Sequence, residues 1–182
     1  MSKRPLRAQP TWTDVKAKLA GFDRLRLLGL IQDLYAAHKD NRTFLHARFG
    51  LGQDVLAPYK EVLDRWLWPD VLRDQDASVM KAKQAISSYR KAVGDPAGLA
   101  ELMVFYCERA AGFCSDIGYQ DDAYFNALVS MFGQALKTIA RSSASDRNAL
   151  IARLDGVRVI SHNFGYGVGD YMDSLLPEYV NE

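Results

Sequence analysis

Cysteine is scarce in this 182-residue chain; the two present are Cys107 and Cys114. On a helix their seven-residue spacing puts them on one face, about 10 Å apart along the axis. That is beyond the reach of a disulfide, so they read as small apolar core residues of a reducing compartment. An excess of either charge is also lacking: 23 Lys/Arg against 22 Asp/Glu leave +1, with no overall field to draw in nucleic acid or an anionic membrane. No charge-free apolar run approaches the roughly 18 residues of a membrane span. No apolar block follows the opening Met-Ser-Lys-Arg-Pro, as a signal peptide requires. Together these absences make a cytoplasmic location and no membrane partner the expectation. Histidine is limited to His38, His46 and His162. None lies in a His-Glu-x-x-His pattern or near cysteines at zinc spacing, so no metal and no cofactor are expected. There is no Gly-x-Ser-x-Gly elbow, and the adjacent Ser161 and His162 would point about 100° apart on a helix. No catalytic residue is assigned.

What is present is an ordinary globular composition, 48% hydrophobic and 25% charged. The apolar residues recur with the helical period. A helix around Thr13–Leu19 comes first. Asp23 is placed to cap a second, with Leu27, Leu28, Ile31, Leu34 and Tyr35 on its inner face. Asn41 is read as the cap of a short helix bearing Phe44, Leu45 and Phe49, stopped by Gly50 and Gly52. Asp54 is read as the cap of the next, with Val55, Leu56, Tyr59, Val62, Leu63, Trp66 and Leu67 inward and Pro69 as its stop. Beyond a polar linker over 73–77, Ser78 caps a helix that Gly94 closes, with Val79, Ala82, Ile86, Tyr89 and Val93 inward. Asp95-Pro96 then supplies a cap and a first-turn proline for a helix that presents Leu99, Leu102, Met103, Tyr106, Ala110 and Phe113. A polar turn over 115–122, with Asp121 or Asp122 as cap, leads to a helix with Phe125, Leu128, Val129, Phe132, Leu136 and Ile139. A break over 142–145 precedes a last helix with Leu150, Ile151, Leu154 and Val157, opened by Ser145 or Asp146. Val157–Ile160 alone has strand character, and a lone strand has no partner. The chain closes on a Gly-rich turn and a short apolar turn over 171–176. The expectation is an all-α fold without a sheet. It is one compact domain of about eight mostly antiparallel helices over 12–182, after a mobile basic tail over 1–11 that contains Lys3, Arg4 and Arg7.

Three segments in order, KAKQAISSYRKA (81–92), LAELMVFYCERAAGFCSDIGYQDDAYFNALVSMFGQAL (99–136) and FGYGVGDYMDSLL (164–176), carry a resemblance. With RLLGLIQDLYAAHKDNRTFLHARF near the start, the chain resembles a family of uncharacterised bacterial all-helical proteins, a domain of unknown function. Tyr166 stands where the family pattern has Trp. The resemblance spans roughly 20–176 and implies a helical, cytoplasmic fold. It brings no activity and no site residue.

Several groups are candidates for function. Asp116, Asp121 and Asp122 miss the calcium-loop pattern and read as turn and cap residues. Gly165, Gly167 and Gly169 lack the strand, the Lys and the following helix of a phosphate loop, and read as a turn. Tyr119, Tyr124, Asn126, His162, Tyr166 and Asp170 cluster around two turns and would line a cleft if those turns met. Trp12 and Trp68 are candidate exposed anchors for a partner, while Trp66 reads as core. Lys81, Lys83, Arg90 and Lys91 form a candidate basic face. Net charge runs from positive over 1–50 to negative over 101–182. The leading expectation is a protein-binding or adaptor module without catalysis, its partner another protein or a second copy. The alternatives are an enzyme using the cleft, with His162 as base, and a weak, non-specific nucleic-acid binder.

Overall fold

The structure, a computed structural model, describes residues 9–141 and 144–177. The described residues are all-α: nine α-helices, one 3-10 turn and no strand. None of these helices is long and apolar enough to cross a membrane. The basic tail lies mostly outside the described residues, as does the first half of the break read over 142–145; its second half is helical, since α8 begins at Ala144, ahead of both residues read as its cap.

By contacts the chain divides into two compact units, 1–45 and 46–182, with the boundary inside a helix. The first holds α1 (Trp12–Leu19), α2 (Arg24–Ala37) and most of α3 (Lys39–Arg48). Thr11 and Asp14 form a capping box on α1, and the Asp23 carboxylate accepts the Arg26 N–H at 2.8 Å to start α2. Asn41 is not a cap. It lies inside α3 and donates from its amide to the Leu34 carbonyl, 2.7 Å away, satisfying the open end of α2. His38 Nδ1 accepts the Asp40 N–H at 3.2 Å.

The second unit is built around α6 (Pro96–Ile117), which touches α4 (Ala57–Leu67), α5 (Val79–Ala92), α7 (Asp122–Ile139) and α8 (Ala144–Ser161). Being central, α6 is apolar on nearly every side; Leu102, Met103, Tyr106, Cys107, Ala110, Phe113 and Cys114 are all buried. Each fully buried large side chain of this kind stabilises the fold by about 1.5–3 kcal/mol. Asp95 and Asp121 cap α6 and α7 through the N–H groups of Gly98 and Tyr124. Gly118, in the left-handed conformation, ends α6, and the short connection that follows makes α6 and α7 an antiparallel hairpin. Asp54 sits before its helix rather than on its cap, accepting the N–H groups of Leu56 and Ala57 in a turn. A 3-10 turn (Val71–Arg73) opens the segment read as linker, and α9 (Val168–Leu175) replaces the expected apolar turn. Phe49 and Val93, placed inward by periodicity, are exposed beside left-handed glycines that turn the chain away.

Two pairs of glycines and aromatic rings fix α6. A Cβ on Gly98 would occupy the Tyr89 hydroxyl, and one on Gly112 would occupy the Trp68 ring. A partly buried charge cluster ties α4, α6 and α8 together. Arg153 bonds Glu101 at 2.5 Å and Glu108 at 2.7 Å, and Lys60 bonds Glu101 at 2.6 Å. Burial pushes the Glu101 carboxyl up, but the hydrogen bonds from Arg153 and Lys60 outweigh it and hold it below the usual carboxylate range.

Candidate functional site

The corner between α8 and α9 concentrates the polar side chains of the C-terminal segment. α8 ends at Ser161, whose buried hydroxyl donates to the Val157 carbonyl at 2.7 Å. That bond removes Ser161 from any nucleophilic pairing with His162. Tyr166 and Gly167 are both left-handed, with φ of 63° and 67°, and they reverse the chain into α9. Phe164 stacks on Phe125 at 5.8 Å, and Tyr166 lies 5.9 Å from the same ring, so the turn clasps α7. A Cβ on Gly165 would come within 3.1 Å of Gln120 Oε1. The two turns are therefore neighbours, as the clustered sequence reading required.

The six clustered residues nevertheless do not converge on one cleft. Tyr124 is buried, and its hydroxyl donates to the Leu67 carbonyl at 2.6 Å. Its ring packs 5.2 Å from Tyr119 and 6.1 Å from Phe113, so both tyrosines belong to a core cluster. Burial pushes the Tyr124 phenol far above its ordinary range, and the neighbouring Cys114 thiol up to about 12. Asn126 is exposed on α7. Only His162, Tyr166 and Asp170 stay together at the corner.

There His162 gains a neighbour that sequence reasoning missed. Its Nε2 is 3.2 Å from Asp173, and its Nδ1 is 3.8 Å from Asp170. The signal was present as two aspartates three apart, which share a face once α9 is recognised as a helix. Arg158, also missed, bonds Asp155 at 2.8 Å and Asp173 at 2.6 Å. The Asp173 carboxyl lies below its ordinary range, chiefly through the Arg158 hydrogen bond. Gly169 packs directly beneath the imidazole: a Cβ there would lie 2.6 Å from Nδ1, 2.7 Å from Cγ and 2.9 Å from the His162 Cα. The Gly-rich segment thus serves to seat a histidine.

The other candidates fare differently. Trp68 is not an exposed anchor; it is half-buried on Gly112 with the Arg109 guanidinium 4.0 Å above its ring. Trp66 is not core either. It is half-exposed, with Arg65 at 4.4 Å and Lys81 at 3.7 Å from its ring. Lys81, Lys83, Arg90 and Lys91 lie on the half of α5 opposite the buried stripe of Ala82, Ala85, Ile86 and Tyr89; at about 100° per residue Lys81 and Arg90 stand at its two edges and Lys91 between them.

A larger departure lies in the first unit. α2 contains no buried residue; Leu25 is 80% exposed, and Leu27, Leu28, Ile31, Leu34 and Tyr35, expected inward, are exposed too. Trp12, Val15 and Phe22 extend the same apolar character along α1 and the turn that follows it. No residue of 9–45 is buried. No family model, no curated protein and no solved structure matches this chain.

Proposed function

We propose that the chain is a protein-binding module whose recognition surface is the α1–α2 pair, and that the occupant of this surface is a second copy of the chain. One observation carries the reading: a 14-residue helix with seven leucine, isoleucine and tyrosine side chains buries none of them. Scattered exposed apolar residues are ordinary, whereas a contiguous set on one element marks an interaction surface. At about 21 Å, α2 is too short to span a bilayer core of roughly 30 Å, and the cover proposed for it is protein. A unit of this size, near 40 residues, ordinarily reaches stability through oligomerisation, a metal or disulfides. The first unit has no cysteine. A second copy brings the same apolar surface, and two-fold pairing of identical patches is the commonest closed assembly.

The test is sedimentation of the full chain through the micromolar range beside a Leu28→Asp, Ile31→Asp variant. Both sites are exposed, so the fold tolerates the change. The parent is expected to sediment as a dimer and the variant as a monomer of unchanged helicity. A parent that stays monomeric at every concentration overturns the proposal, as does a variant that remains dimeric.

A further inference from the structure

His162, Asp170 and Asp173 each present a ligand atom, and these atoms lie within 4.8 Å of one another. Donors around a single first-row ion, at bond lengths of about 2.0–2.2 Å, stand about 3–3.5 Å apart. His162 Nε2 and Asp173 already meet that spacing at 3.2 Å. Asp170 stands 3.8 Å from the other ring nitrogen, Nδ1; it is the most exposed of the three, and a side-chain rotation carries its carboxylate to the Nε2 side, where one ion would sit. The geometry points to a divalent transition-metal site here, of the imidazole-and-carboxylate type that suits zinc or manganese.

Three observations support it. The imidazole is seated rather than free to swing, because the Gly169 backbone occupies the space beneath it. Asp173 is oriented by Arg158, as the carboxylates of metal sites are held by groups behind them. Arg158 is also shared with Asp155, so the two ligating aspartates retain a net negative charge against a dication. His162 directly follows the last residue of α8, and Asp170 and Asp173 lie on α9. An ion would therefore clamp α9 to the end of α8.

The probe is Zn²⁺, titrated calorimetrically into the full chain with Mg²⁺ as a control, followed by thermal unfolding with and without the ion. The expectation is one equivalent of Zn²⁺ bound, a raised Tm, and little heat from Mg²⁺. His162→Ala and Asp173→Asn should weaken binding by at least about tenfold. Asp170→Asn, at an exposed carboxylate outside the Arg158 pair, gives the same readout should the other two unfold. His38→Ala, at an exposed histidine of the first unit, should leave binding unchanged. Absence of one-to-one Zn²⁺ binding overturns the proposal, as does binding that survives Asp170→Asn and His162→Ala.

Discussion

Replacing Tyr124 by Phe deletes one oxygen from the middle of the second unit. That oxygen donates a 2.6 Å hydrogen bond to the carbonyl of Leu67, the last residue of α4. A helix leaves its final carbonyls without intrahelical donors, and Leu67 is fully buried, so water cannot replace the phenol. A neutral hydrogen bond contributes about 1 kcal/mol net, and a stranded buried acceptor adds a desolvation cost of about 1–3 kcal/mol. A loss of about 2 kcal/mol is expected, or about 4–8 °C in Tm for a chain of this length. Tyr106 supplies the matched comparison. It is equally buried, but its hydroxyl has no hydrogen-bond partner. Tyr106→Phe removes the same atom while relieving an unmatched polar group, so its Tm should stay level or rise. Urea denaturation of both variants beside the parent, with equal m-values, isolates the difference. Equal losses in the two variants would refute the assignment of stability to the Tyr124–Leu67 bond.

Acid should expose the charge cluster. The folded pKa of Glu101 lies below its ordinary value, so its stabilisation is complete above the unfolded pKa of about 4.3 and is lost as pH falls through the folded one. Glu101→Gln should flatten the fall of stability below about pH 4.3 in a denaturation series; an unchanged slope counts against the cluster. Two glycines should respond with opposite signs to alanine. Gly112→Ala forces the Trp68 ring off its seat and should cost about 1–2 kcal/mol with altered near-UV circular dichroism, whereas Gly156→Ala, with open space around it, should gain about 0.5–1 kcal/mol. Thermal unfolding reads both, and a shared sign would refute the packing account.

The caps of α2, α5, α6 and α7 were legible because an Asp or Ser ahead of an apolar run has one local role. Asp23, Ser78, Asp95 and Asp121 perform it. Asn41 and Asp54 failed because the same side chains also make turns and satisfy helix ends. Periodicity placed the α6 core and, apart from the half-buried Val129, the α7 core correctly. It mistook α2 because an apolar stripe shows that a face needs covering, not what covers it. The site was half legible. His162 and Asp170 stood out as chemically able residues near a Gly-rich turn, while Asp173 and Arg158 entered only once that turn was seen to fold α9 back on α8. Tyr124 resembled a site residue because sequence does not distinguish a phenol lining a cleft from one holding a helix end.

The seats at Gly98 and Gly112 have a consequence for how the chain tolerates change in length. They lie about 21 Å apart along α6 and within about 40° of one another around it. Tyr89 arrives from α5 and Trp68 from the end of α4. A single inserted or deleted residue between them would rotate one seat by about 100° and present a side chain to a ring that needs a gap. The helix is therefore gauged at two points, and its register is specified by what is missing from its surface. Helix ends at the rim of the fold can gain or lose a residue by fraying, but the interval between these two glycines has one permitted length.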